Sequence, residues 1–334
     1  QEIIRVTAGK RIHGTGAIPG GVNAPVAEAE RDALLADHDD MVAWAREGLG
    51  LARDYTLEHL DELATFGAFD SNHLALVRED GALELYDGRL RASDAEGALI
   101  FDQVDGADYL EHVAEEVRSW SYMKFPFLRV LGPTRGWYRV GPLARVNACD
   151  YIDTPLAEEA RQEFVAVGGG RPVNLSMAYH WARMIETVHA VEKVGELLRD
   201  PDLLAGDLTV SGPGRREGVG VLEAPRGTLF HHYRVDEDDL VERCNLIVST
   251  TSNNEPMNRA VTDVARRAMG GRDTITEGMM NQVEVVVRAY DPCLSCATHA
   301  LGRMPLVLEL YGPSGDLLDR RVKESDPTPS PEEA

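Results

Sequence analysis

Residues 175–199 constrain the fold more than any other stretch. Met177, Ala178, Trp181, Met184, Ile185, Val188, Val191, Val194 and Leu198 recur at steps of three and four. That is the spacing of a helix with one core-facing stripe. Arg199-Asp200-Pro201 marks its end, because proline lacks the N–H that another turn needs. A helix buried along such a stripe must be enclosed by other elements, and the flanking sequence offers them. Residues 26–55 carry Met41, Trp44, Ala45, Leu49 and Leu51 near helical spacing, with acid on the opposite face. Residues 107–121, 255–270 and 277–289 also read as helices, the last stopping before Pro292. A β-rich insert spans about 74–102: LALV (74–77), ALELY (82–86) and GRLRA (88–92), separated by the turn pairs Asp80-Gly81 and Asp87-Gly88. TLFHHYRV (228–235) and NLIVST (245–250) read as strands, and LVLELY (306–311) with LLDRR (317–321) as a hairpin. Residues 9–25 form a Gly/Pro-rich ordered loop and 325–334 a polar tail. The expected class is α+β, helix-dominated, with small antiparallel β segments and no internal repeat.

Charge removes one class of function. Lys and Arg number 34 against 56 Asp and Glu, a formal charge of −22, whereas nucleic-acid binding needs a basic face. No run approaches the ~20 apolar residues of a membrane span. Four cysteines do not make a secreted disulfide scaffold, and no export signal is visible, so a cytoplasmic setting is expected. The chain opens at Gln1 in mid-pattern, and the natural N-terminus is expected to lie upstream.

The chemistry concentrates in DPCLSCATH, Asp291 to His299. Cys293 and Cys296 are three apart, so both sulfurs can face one metal ion, and His299 continues the spacing. Taken alone the motif leaves alternatives open. Half of a structural zinc site is one, although Cys149 and Cys244 stand by themselves. A thioredoxin-type dithiol is another, although that motif follows a strand.

The wider sequence narrows the choice. EVVVRAYDPCLSCATHALGRMPL resembles the C-terminal DPCxxCxxH motif of nickel–iron hydrogenase large subunits. GKRIHGTGAIPGGVN (9–23), YRVGPLARVN (138–147), YHWARMIETVHAVEKV (179–194), EAPRGTLFHHY (223–233) and NLIVSTTSNN (245–254) resemble the same family, in order, so the likeness covers nearly the whole chain. The wording is nearest to the cytoplasmic, bidirectional, NAD-linked group. The resemblance implies the hydrogenase large-subunit fold with a central long-helix bundle. It makes 1–299 the C-terminal portion of such a large subunit. Residues 300–334 become an extension removed on maturation by a nickel-dependent protease.

It also implies roles. Cys293 matches the terminal nickel ligand and Cys296 the ligand bridging to iron in a Ni–Fe(CN)2(CO) centre. Soft thiolates suit such a site. Two further thiolates, a neighbouring glutamate and a second carboxylate facing Arg226 belong to an N-terminal CxxC segment lying before Gln1. The isolated chain is therefore expected to be inactive. Arg226 matches an arginine above the open metal position, and Asp291 a carboxylate that holds it. Ser249 matches the donor to one cyanide, while Pro225, Leu229, Ile247 and Val248 match the wall around the diatomic ligands. His299 and the backbone carbonyl of Asn245 match ligands of a magnesium (or iron(II)) ion. Electrons leave through an iron–sulfur small subunit, and diaphorase subunits bind flavin and NAD. Nickel chaperones load the site.

Other histidines read as structural. His231 and His232 are adjacent in a strand and point to opposite faces. His180 and His189 lie on the long helix, and His13 in the Gly-rich loop. GPGRREGVG (212–220) lacks the context of a nucleotide-binding loop. The remaining rivals are a hydrogenase using F420 or another acceptor, a zinc-stapled structural protein, and the quinone-site subunit of respiratory complex I. That last family lacks the ligand cysteines.

Overall fold

A computed structural model of the chain describes residues 1–298 and 305–323. Part of the expected extension, the whole of the expected tail and His299 lie outside those residues.

The striped segment forms the helix Tyr179–Arg199, entered through a short 3-10 turn at Ser176–Ala178 and ended at Asp200. It buries Tyr179, Trp181, Ala182, Ile185, Val188, His189 and Leu198. Around it pack His38–Glu58, Pro155–Val167, Asn254–Met269 and Glu277–Ala289, with Phe164, Met257, Val264 and Val286 closing the main core. Phe164 meets Trp181 edge-on at 5.1 Å between ring centres, a favoured aromatic arrangement. Glu277–Ala289 begins at a Thr276 side-chain cap, and its stripe of Met280, Val283, Val286 and Ala289 faces inward.

A second core lies between two small sheets. One orders its strands Leu99–Val104, Arg89–Ser93, Asn72–Val77, Tyr138–Arg139, antiparallel except for the last pair. The other orders Val241–Ile247, Gly227–Val235, Glu217–Ala224, antiparallel throughout. Leu74, Leu76, Leu90, Tyr109, Tyr138, Phe230 and Ile247 fill the space between. The C-terminal hairpin Leu306–Tyr311/Leu317–Lys323 leans on the preceding helix through Lys323 to Glu284 (2.8 Å), and on the segment just before that helix through Asp319, which accepts the Ile275 N–H (2.7 Å).

Several expectations need correction. Residues 107–121 are not one helix: a single turn, Tyr109–His112, gives way to a strand, Val113–Glu116, paired with Phe125–Leu128. Pairing lets Val113, Phe125 and Leu128 reach the core, whereas Val117 and Trp120 of the supposed stripe are exposed. ALELY is no strand either. Glu84 Oε1 takes the N–H groups of Leu85 (2.8 Å) and Tyr86 (3.0 Å), so a side chain replaces the ladder there. The 26–55 segment splits at Asp37 into Glu28–Ala36 and His38–Glu58. The strand Glu217–Ala224 emerges from sequence that reads as Gly-rich loop, because Gly218 and Gly220 hide its alternation. The helix Pro155–Val167, which buries Ala157, Ala160 and Phe164 at helical spacing, is not among the sequence expectations.

Candidate metal centre

The β-hairpin Glu217–Ala224/Gly227–Val235 turns through two residues, Pro225 and Arg226. Gly227 follows at φ 134°, and a Cβ there would stand 2.4 Å from Val140 Cγ2 and 2.6 Å from the Gly141 nitrogen. Glycine is required by that contact and by the left-handed backbone. The turn therefore sits hard against the Val140–Gly141 junction, and Arg226 projects from it. Its Nε donates to the Asp291 carbonyl (2.5 Å) and stands 3.3 Å from Asp291 Oδ2. Both side chains are more than a third exposed, so the ion pair adds little stability, and its consequence is orientation.

Asp291 is delivered by the end of the helix Glu277–Ala289. Tyr290 is buried against Tyr179, with ring centres 4.8 Å apart, and its hydroxyl lies 3.1 Å from Ser176 Oγ. The chain then swings through a left-handed Asp291 (φ 49°), a conformation Asp tolerates as a single residue. Pro292 follows, and Cys293 and Cys296 flank the first turn of the short helix Leu294–Thr298. Their Cα atoms are 5.4 Å apart and their sulfurs are joined in this structure. Metal binding needs the reduced pair, whose thiolates then share one side of that turn.

Ser249 and Thr250 bind these two arms together. Ser249, buried at the start of Ser249–Ser252, donates to the Gly227 carbonyl (2.6 Å). Thr250, also buried, accepts the Cys293 N–H at Oγ1 (3.1 Å). Arg226, Ser249, Asp291, Cys293 and Cys296 thus come from three stretches of chain into one locality. Thr250 is a member that sequence reasoning missed, although it adjoins Ser249 in NLIVSTTSNN.

The other expected residues are spread more widely. Pro225 is exposed at the turn, its carbonyl accepting from Arg145 (3.2 Å). Val248 is half-buried before Ser249, while Ile247 is buried in the second core beside Phe230. Leu229 lines a cleft of about 930 Å³ with Leu222, His231, Tyr86 and Arg89 on the opposite face from Phe230. Asn245 lies in Val241–Ile247 opposite His232, its amide donating to the Tyr109 hydroxyl (2.8 Å). His232 is buried between Tyr109 and Glu217, and His231 faces the cleft, as strand alternation requires.

Three more side chains, without any spacing signal, frame the locality. Arg183 donates to the Ala289 carbonyl (3.0 Å) beside His180. Burial pulls both groups below their usual values, and the Asp291 charge opposes that shift in each. Arg145 reaches the hairpin turn from inside the core. Cys149 is no candidate ligand: burial pushes its thiol up to about 12. Among the described residues no group of three or more His, Cys, Asp or Glu side chains could hold a metal by itself. The pair Cys293–Cys296 offers two sulfur donors once reduced.

The sequence pattern of the nickel-dependent hydrogenases matches residues 53–299. This chain belongs to that family. It is 46% identical over 332 residues to the NAD-reducing hydrogenase HoxS subunit beta of Cupriavidus necator, covering 97% of this chain and 68% of the relative. It is 37% identical to a component of the F420-non-reducing hydrogenase vhc of Methanococcus voltae, covering 93% of this chain and 66% of that one. A crystal structure of an NAD+-reducing NiFe-hydrogenase in the H2-reduced state superposes with TM-score 0.86 at 49% identity, covering 89% of this chain and 66% of the other. The chain has the hydrogenase large-subunit fold and spans about two thirds of the length of these relatives. No described helix is long and apolar enough to cross a membrane.

Proposed function

We propose that this chain carries the C-terminal half of the metal cradle of a nickel–iron hydrogenase, catalysing H2 ⇌ 2H+ + 2e−. What supports the reading is the convergence of Arg226, Ser249, Thr250 and Asp291 on Cys293 and Cys296, in a member of the nickel-dependent hydrogenase family. The donor set fits such a centre in part. Two soft sulfurs, three residues apart and reducible to thiolates, suit nickel, and a cationic donor and a buried hydroxyl stand near. Cys293 and Cys296 would hold the metal pair. Neither Cys149, which is buried, nor Cys244, which lies exposed on a strand, joins them.

When bound, the Ni–Fe(CN)2(CO) group supplies the acceptor for the electrons of H2. The chain's own residues prepare the surroundings. Arg226, held beside Asp291, polarises H2 and orients donors rather than shuttling protons. Asp291 holds the Arg226 guanidinium by carbonyl and carboxylate together. The Ser249 hydroxyl, which donates to the Gly227 carbonyl in this structure, would turn from that bond to donate to a cyanide, and Pro225, Leu229, Ile247 and Val248 would form part of the wall around the diatomic ligands once the rest of the cradle covers them. His299 and the carbonyl of Asn245 would hold a magnesium or iron(II) ion.

The chain works in the cytoplasm beside diaphorase subunits carrying flavin and beside an iron–sulfur small subunit. NAD+ is the acceptor. The likeness to the Cupriavidus necator NAD-reducing protein favours NAD+ over F420. Residues 300–334 are removed by a maturation protease after chaperones deliver nickel, leaving 1–299.

The test uses the assembled enzyme containing this chain. Cys293→Ser is expected to lose nickel and all H2-dependent NAD+ reduction. Arg226→Lys is expected to keep nickel and lose about 10²–10³ in kcat, the scale of removing one preorganised donor. The isolated 334-residue chain should not reduce dye with H2. Full nickel and activity in Cys293→Ser overturns the reading.

A further inference from the structure

Arg145 lies at the centre of a buried charge cluster that ends on the turn bearing Arg226. It sits in the helix Pro142–Ala148 and is 2% exposed. Its Nε and Nη2 donate to the two oxygens of Glu186 (2.5 and 2.6 Å), and Nη1 to Glu223 Oε2 (2.7 Å). The same guanidinium donates to the main-chain carbonyls of Ala224 (2.9 Å) and Pro225 (3.2 Å). Those are the two residues immediately before Arg226. Glu223 Oε1 in turn accepts from the Thr228 hydroxyl (2.7 Å) and the Leu76 N–H (2.9 Å). The cluster therefore grips the hairpin on both sides of the turn, at 223–225 and at 228.

Charge balance does not require this arrangement. Glu186 alone would neutralise Arg145 bidentately. The second carboxylate and the two carbonyl bonds tie the guanidinium to the turn. Burial by itself would lower the Arg145 pKa, but Glu186 and Glu223 more than reverse that, so the fork stays charged. Lysine cannot substitute: it offers three donors from one nitrogen, where five bonds radiate in a plane.

We propose that Arg145 is the positioning residue for Arg226, setting where its guanidinium stands beside Asp291 by pinning the Ala224 and Pro225 carbonyls. The inference rests on the reading of Arg226 given above. Arg145 acts through the turn, by its bonds to the Ala224 and Pro225 carbonyls. A misplacement near 1 Å in a preorganised group lowers rate by about 10²-fold.

The test is a double-substitution cycle in the assembled enzyme, read as nickel content and as kcat and KM for H2 in dye reduction. Arg145→Lys is expected to lower kcat about 10–100-fold with nickel content and KM unchanged. Arg145→Lys/Arg226→Lys is expected to be no slower than Arg226→Lys alone, because both act through one guanidinium. Where Arg145→Lys fails to assemble, Thr228→Val replaces it. That isosteric change removes one donor to Glu223 and is expected to lower kcat several-fold, again without effect in the Arg226→Lys background. Losses that multiply in the double variant, or a fall in kcat matched by a fall in nickel, overturn the proposal and leave Arg145 a purely structural residue. Full kcat in Arg145→Lys overturns it too. Full kcat in Arg226→Lys overturns instead the reading beneath it, so the two failures are distinguishable.

Discussion

Gly227→Ala tests whether the arginine-bearing turn is held by steric contact or merely rests there. Two terms oppose an alanine. The backbone φ of 134° lies where L side chains are strained, which costs about 1–3 kcal/mol. The new Cβ would also fall 2.4 Å from Val140 Cγ2 and 2.6 Å from the Gly141 nitrogen. Val140 is fully buried and the nitrogen is backbone, so neither can swing aside, and overpacking of this kind costs about 1–3 kcal/mol. The sum is about 2–6 kcal/mol of lost stability. Gly220→Ala is the control. It lies in the paired strand, yet its Cβ would meet nothing within 4 Å. Alanine there should change stability by no more than about 0.5 kcal/mol. Urea unfolding followed by far-ultraviolet circular dichroism compares both with the parent chain. Because the Ser249 hydroxyl donates to the Gly227 carbonyl, the shift should also loosen the first turn of Ser249–Ser252, visible as faster amide exchange. Equal midpoints for Gly227→Ala and Gly220→Ala would refute the claim that packing sets the Arg226 turn.

Other consequences follow from buried charge and from surface clamps. His73 is fully buried and pulled down from 6.5 to about 3, by burial first and then by Arg139. Above pH 6.5 it is neutral folded or unfolded; as pH falls from about 6.5 towards 3 the unfolded chain takes a proton that the folded chain refuses. Stability should therefore drop by up to about 1.4 kcal/mol per pH unit in that window from this group. His73→Gln should flatten the slope of unfolding free energy against pH by one proton's worth, and an unchanged slope would exclude His73 as the source. Lys323→Ala removes the bonds to Glu284 and Asn281 that tether the C-terminal hairpin. The expected loss is small, about 0.5–1 kcal/mol, and local, so hydrogen exchange at 306–323 should quicken while the central helix is unaffected.

The long helix, the helices near 255–270 and 277–289, and the hairpin at 306–321 were legible because their apolar residues repeat with a period that only one local structure can bury. That Cys293 and Cys296 lie together was legible because a spacing of three residues is a local property. The strand at 113–116 and the loop at 82–86 were not, since each depends on a partner far along the chain or on one side chain capturing nearby amides. Local periodicity cannot report either. The same division holds at the site. Sequence named Arg226, Ser249 and Asp291 through likeness to a family, but their meeting depends on packing. Thr250 as bridge to Cys293, Gly227 against Val140, and Arg145 beneath the turn carry no spacing signal at all. Composition and order along the chain decide which elements can form. Which of their polar ends are driven together is decided by burial, because a guanidinium or hydroxyl removed from water must find its partners wherever the fold has put them.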